Sequence, residues 1–356
     1  MSYSCKIIAD SLTPQGNRLV TYKVTYPRII HAEMCRHRML SRNTASSRAI
    51  PFKKMVEDVE KNPFIPIAWQ KNHKGMQGSE YLEINPNVFG PVNGWLEARN
   101  KAVELAKYLN ELDVTKQLCN RLLEPFVWTT ELITGTEWDN FFELRCPSYY
   151  DGETVHRSRK DYLIKNDPDR NKTYSEEYFR AVNESQAEIH IQKIAEMMWD
   201  SYNESKPKEL QAGEWHIPYG DKIGIEDCFK AQPYSNKSDN GFDYYIEVAT
   251  KIATARCARI SYETLGDNPK IDYEADIKLH DRLLKDKHLS PFEHCARAMN
   301  NEEYITSING KIIDVGCEKE TYEDGYECFM QFTHNIQGWH NNFRGWISYR
   351  SLIDKV

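Results

Sequence analysis

Apolar and polar residues alternate through Leu19-Val20-Thr21-Tyr22-Lys23-Val24-Thr25-Tyr26, the period of a β-strand with one apolar face. The period then changes. Ile29, Ile30, Met34, Cys35 and Met39 recur at roughly helical spacing across Arg28 to Met39. Behind Pro51, a favoured first helical residue, Phe52, Met55, Val56 and Val59 fall at i, i+3, i+4 and i+7. The pattern predicts two helices with residues 41 to 50 as the loop between them. A broad helical face follows from Trp95 to Leu112. Next, Thr136-Glu137-Trp138-Asp139 can cap a helix carrying Trp138, Phe141, Phe142 and Arg145 on one stripe. Residues 146 to 177 break the periodicity and read as an exposed polar insertion, with a lid over a substrate as the alternative. A helix then runs from near Ser175 through Glu188, Ile189, Ile194 and Met198.

Lys206 to Tyr219 reads as an ordered surface segment, and Ser235 to Gly241, rich in Ser, Asn, Asp and Gly, as a linker. Near the C-terminus, Ser290, Pro291 and Glu293 fit a capping box. Within the aromatic stretch His334 to Tyr349, Phe343, Trp346 and Ile347, followed by Arg350, predict an amphipathic helix. Its rings read as core, with stacking on a flat cofactor as the other use.

Composition narrows the class. The chain has 356 residues and a formal net charge of −7, so its whole surface is no polyanion binder. Its nine cysteines show no Cys-x-x-Cys pair, which gives neither a zinc site nor a disulfide framework. Free thiols imply a reducing compartment. No signal peptide or long apolar run is evident, so a cytoplasmic protein without a membrane partner is expected.

Against that acidic balance, Arg36 to Arg48 holds four arginines, a histidine, three serines, a threonine and an asparagine. A basic run is often a solvated face, and a nucleic-acid patch is a second option. Here the cations are Arg and His with interleaved hydroxyls, which suits phosphate and polar-ring recognition. Glu33 lies a turn ahead and can pair with Arg36 or His37, or touch a ligand. Arg145 continues an apolar stripe and so needs an acceptor, which a neighbouring Glu can supply.

Arg36-His37-Arg38, then Ser46 and Arg48, resembles the fingerprint of flavin-dependent thymidylate synthases. Ala258-Arg259-Ile260-Ser261-Tyr262 and His288-Leu289-Ser290-Pro291-Phe292-Glu293-His294 resemble two further blocks of that family. In ordinary members these blocks precede the Arg-His-Arg motif, whereas here they follow it, so the order looks circularly permuted. The strand Leu19 to Tyr26 resembles the one leading into the Arg-His-Arg helix. The resemblance implies an α+β fold with a mixed sheet flanked by helices, forming a single catalytic domain over 1–356. Segment 1–234 then carries the Arg-His-Arg motif and the helical region, 235–241 links, and 242–356 carries the other two motifs.

By the same resemblance, Arg36, His37, Arg38, Arg145, Ser261 and His288 contact FAD. Glu33, Thr44, Ala45, Ser46, Arg48 and His190 hold a pyrimidine deoxynucleotide, and Arg36, Ser46 and His190 make up the catalytic set. No metal is implied. The implied reaction is reductive methylation of dUMP at C5 to dTMP, with methylenetetrahydrofolate as carbon donor and NADPH as reductant, in a homotetramer. The chain departs from the family where nucleotide-binding arginines are usual: Thr130 and His190 stand there instead. A threonine has no guanidinium fork and a histidine is only partly charged at neutral pH. That departure favours a relative acting on another pyrimidine nucleotide or installing hydroxymethyl. A non-enzymatic nucleic-acid binder is the remaining alternative.

Overall fold

The structure is a computed structural model that describes residues 2–74, 78, 80–85, 88–169, 171–232, 241–262, 272–307, 317–321, 327–331 and 337–353. Most of the 235–241 linker lies outside the described residues.

Strand β1 (Ser4–Leu12) pairs antiparallel with β2 (Arg18–Pro27), from Ser4 opposite Thr25 to Leu12 opposite Arg18, with a register shift between Ile7 and Ala9. On its other side β2 pairs antiparallel with β4 (Trp128–Gly135), which carries the short edge strand β3 (Ser41–Thr44). A two-residue strand, Lys208–Glu209, joins β1 in parallel, so the sheet is mixed, as the α+β expectation holds. The period-2 reading of β2 explains the layers on both sides. Val20, Tyr22, Val24 and Tyr26 pack with Trp138, Phe141 and Phe142 and with Ile191, Ile194 and Met198 of helix Ile189–Glu204.

The odd positions face a second layer rather than water. Leu19 joins Leu210, Ala296, Ala298, Phe343 and Trp346. Thr21 is fully buried between two hydrogen bonds, 2.8 Å to Thr134 Oγ1 and 2.8 Å to His216 Nε2. His216 Nδ1 continues to Ser11 Oγ at 2.9 Å, and Thr134 Oγ1 to His294 Nδ1 at 2.7 Å. Five side chains from five parts of the chain thus form one buried polar line. Beyond it stand helix Gly241–Arg259, helix Tyr273–Lys285 and a three-stranded antiparallel sheet of Trp346–Ser348, Ala296–Ala298 and Trp215–His216.

Several elements differ from the periodicity reading. Between Arg28 and Met39 the helical part ends early, as a 3-10 turn Arg28–Ile30 and a helix His31–Met34. Only Ile30 and Met34 are buried there, too narrow a face to hold more turns. The expected loop at 41–50 begins as strand β3, whose buried residues are polar and so carry no hydrophobic alternation. The single helix from Ser175 is two, Glu176–Ala181 and Ile189–Glu204, and Glu188 caps the second by accepting from the amides of His190 and Ile191. The insertion is folded rather than a bare loop. Its helix Arg159–Asn166 and helix Glu176–Ala181 close over a core of Tyr149, Tyr162 and Phe179.

Segment 206–219 is ordered and mostly exposed through Glu214, but Leu210, His216 and Pro218 are buried. Ser290–Glu293 forms one 3-10 turn without a side-chain cap, and Glu293 instead accepts from Arg350. The C-terminal helix predicted through Phe343 is a hairpin, Trp339–His340 with Phe343–Arg344, running into strand Trp346–Ser348. Gly345 explains this: its φ is +79°, and a Cβ there would meet Asn17 Nδ2 at 2.7 Å. Phe343 and Trp346 are core, as expected of the rings. No helix among the described residues is long and apolar enough to cross a membrane.

Burial holds the imidazoles of His216 and His294 down to about 3, against an ordinary 6.5. The unfolded chain therefore binds protons first on acidification. The stability these sites contribute is complete above about 6.5 and is lost as pH falls from there toward 3. Each should steepen the decline by up to roughly 1.4 kcal/mol per pH unit. Urea unfolding at pH 7, 6, 5 and 4 should give a shallower slope for His294→Phe than for the natural chain.

Candidate active site

Strand β3 and the turn after it gather groups that are far apart in the chain. Asn43 Nδ2 donates to the Cys257 carbonyl at 2.6 Å, and Ser261 Oγ donates to Asn43 Oδ1 at 3.3 Å. The amide of Ser46 donates to the Ser261 carbonyl at 3.0 Å. From the other side, Asn120 Nδ2 reaches the carbonyls of Ser47 and Ile50 at 2.7 and 3.0 Å, and Ser47 Oγ donates to Glu124. Ser41 lines a cavity of about 310 Å³ with Glu293, Asn341, Asn342, Phe343, Ser348 and Arg350. Around this one edge strand therefore lie all three sequence blocks: 36–48, 258–262 and 288–294.

The charges of the loop divide into held and presented. Arg42 Nη1 donates to Glu131 Oε2 at 3.1 Å, Thr44 Oγ1 to Glu131 Oε1 at 2.7 Å, and the Tyr26 hydroxyl to Oε2 at 2.7 Å. Glu131 is fully buried, and Nη2 of Arg42 is buried without a hydrogen-bond partner. Arg36, Arg38 and Arg48 are exposed. His37 packs edge-on against Phe141, and its Nε2 accepts from Nε of Arg145 at 3.0 Å. The acceptor for Arg145 is thus an imidazole, not the carboxylate expected.

Electrostatics follow from this crowding. Burial, then Arg145 and Arg42, push the His37 imidazole down to about 4, so it is neutral and its lone pair faces Arg145. Arg145 is itself lowered by burial and by Arg36, with Glu33 acting against them. Glu33 Oε2 is buried and has no hydrogen-bond partner. The cations outnumber the carboxylates within reach, and the cluster has capacity for an added anion.

The structure places the remaining predicted residues as follows. Ala45 is buried, and its amide is spent on the Thr130 carbonyl at 2.8 Å. With the Ser46 amide bonded to Ser261, a phosphate cradle here draws on Ser46 Oγ and Arg48 rather than on those amides. Thr130 Oγ1 pairs with Thr25 Oγ1 at 3.1 Å. His190 is buried at a helix start, accepting from the Ile67 amide at 3.1 Å through Nε2 and meeting Glu188 through Nδ1. Both its nitrogens are engaged outside the 36–48 loop. His288 is exposed just after Lys287, whose φ is +57°. So His37 meets Arg145 and Ser46 meets Ser261, while His190 and His288 stand apart.

Sequence reading missed Asn43, Asn120 and Glu131. Glu131 carried a signal, a lone carboxylate in a strand of Thr, Leu and Ile that must be paired if buried.

No family model matches the chain, and no curated protein does. Among solved structures, it is similar to a UMP/dUMP methylase, PolB from Streptomyces cacaoi, bound with 5-Br UMP. That match has 15% identity and a TM-score of 0.39, covering 57% of this chain and 89% of the other. A second structure of PolB, bound with 5-Br dUMP, matches at 14% identity and TM-score 0.35, covering 52% and 65%. Superposition at that level determines neither fold nor activity.

The His37–Arg145 contact has a direct check. In Arg145→Met the His37 pKa should rise from about 4 but stay below 6.5, because burial is the larger cause. A histidine NMR titration that finds it unmoved would refute the contact.

Proposed function

We propose that this chain is a flavin-dependent, thymidylate synthase-like enzyme that methylates a pyrimidine deoxynucleotide at C5. The observation that carries the reading is the meeting of three dispersed blocks around Ser41–Thr44, beside a cluster in which Arg36, Arg42 and Arg145 meet only Glu33 and Glu131. The donor set fits polyanionic ligands: Arg42 has a buried Nη2 with no hydrogen-bond partner, and the acceptor of Arg145 is a neutral imidazole. Arg36, His37, Arg38 and Arg145 would hold FAD with Ser261, and His288 would complete that set from the surface. Ser46 and Arg48 would hold the nucleotide phosphate, and the unpaired Glu33 oxygen would accept from a ring N–H. Glu131 positions the loop by fixing Arg42 and Thr44.

When bound, FAD would relay reducing equivalents from NADPH to the carbon unit brought by methylenetetrahydrofolate. The protein's own share is to orient the rings and stabilise charge on the base. The permuted order is supported by the seating of the 290–294 turn on the sheet, where His294 bonds Thr134 opposite Thr21. A homotetramer and a soluble nucleotide substrate belong to the same reading.

A second reading changes the substrate and keeps the cofactor: another pyrimidine nucleotide, or hydroxymethyl in place of methyl. It is favoured by Thr130 and His190, whose side chains are bonded within the protein and offer no guanidinium.

Reconstitution with FAD should give a yellow protein, and NADPH oxidation tested with dUMP, UMP and dCMP should select one nucleotide. Arg48→Gln should raise the KM for that nucleotide about 10- to 100-fold with flavin uptake intact, the scale of one charge-assisted bond. Protein that stays colourless and takes up no FAD would overturn both readings.

A further inference from the structure

We propose that His31, Cys35 and Glu131 form a site for one divalent transition-metal ion of the zinc type. The inference is independent of the flavin reading. His31 and Cys35 stand one helical turn apart, with the Cys35 amide donating to the His31 carbonyl at 3.0 Å, and Glu131 reaches them from β4. One donor atom from each, an imidazole nitrogen, a sulfur and a carboxylate oxygen, lies within 4.8 Å of the others. Tetrahedral zinc, with bonds of about 2.0–2.3 Å, holds its ligands roughly 3.3–3.8 Å apart. Cys35 is exposed, so its side chain can close the difference by rotation. Its sulfur already lies 3.5 Å from His31 Nε2.

The Tyr26 hydroxyl has one proton, which it donates to Glu131 Oε2 at 2.7 Å. It also lies 2.8 Å from His31 Nδ1, so that nitrogen must be the donor in this contact. The tautomer is thereby set with the proton on Nδ1 and the lone pair on Nε2, while the Cys35 sulfur, 3.5 Å from Nε2 and 3.9 Å from Nδ1, lies beside the ring and must rotate to meet that lone pair. An imidazole that donates its far N–H to an oriented acceptor is the usual outer support of a metal-ligating histidine.

Glu131 has room for the ion. Tyr26 and Arg42 fill Oε2, whereas Oε1 takes one bond, from Thr44, and keeps a second lone pair. The Arg42 charge beside it opposes the ion and weakens the site relative to an all-anionic one. Sulfur with imidazole selects Zn²⁺ or Co²⁺ over Mg²⁺ and Ca²⁺. Exposure of Cys35 leaves the fourth position open to water, the arrangement of catalytic rather than structural zinc.

Titration of metal-free full-length protein with Co²⁺ tests this. One equivalent should produce visible d–d bands and a near-ultraviolet sulfur-to-cobalt band, both bleached by Zn²⁺. Cys35→Ser, at an exposed position, should abolish the ultraviolet band without affecting folding. Tyr26→Phe should weaken binding about 10- to 100-fold by releasing His31. Absence of a sulfur band at one equivalent, or its persistence in Cys35→Ser, would overturn the site.

Discussion

The architecture hinges on one constraint: both faces of β2 are largely buried, although one of them carries Thr21, Lys23 and Thr25 beside Leu19. The face toward helix Ile189–Glu204 buries Val20, Tyr22, Val24 and Tyr26 and gains by leaving water. The opposite face carries hydroxyls, and a buried hydroxyl without a partner costs about 1–3 kcal/mol. Thr21 escapes that cost through Thr134 and His216, and Thr134 in turn reaches His294. The C-terminal half must therefore dock where its histidines meet these threonines, and not elsewhere on the sheet.

That docking positions the candidate site. With helix Gly241–Arg259 seated on the sheet, its end delivers Cys257 and Ser261 to Asn43 and Ser46. The 290–294 turn arrives beside Ser41 through the same His294 contact that anchors it to Thr134. Glu131, on the strand between β2 and β3, links the two levels. It accepts from Tyr26 on one side and from Arg42 and Thr44 on the other. The loop's inner cation is consumed in holding shape, while Arg36, Arg38 and Arg48 stay exposed for ligands.

Legibility in the sequence followed burial chemistry. Helix Phe52–Lys61 and the stripe Trp138, Phe141, Phe142 were readable because each turns its apolar side chains to a core, two separate ones. Strand β3 was hidden because its buried positions, Ser41 and Asn43, are polar, and Asn43 is satisfied by Cys257 and Ser261, over two hundred positions away. The C-terminal spacing of Phe343, Trp346 and Ile347 imitated a helix, but the left-handed Gly345 and the strand Ala296–Ala298 imposed a hairpin.

The sequence by itself determined the strand period of β2, the concentration of arginine and hydroxyl groups at 36–48, and the existence of three dispersed blocks. These are local properties, carried by spacing and side-chain chemistry. Only the tertiary structure decided which arginines are neutralised, that His37 rather than a carboxylate faces Arg145, and that His190 is enclosed by Ile67 and Glu188. Each of those outcomes depends on which distant acceptor comes within about 3 Å, and hydrogen bonds and charge pairs are decided at that range.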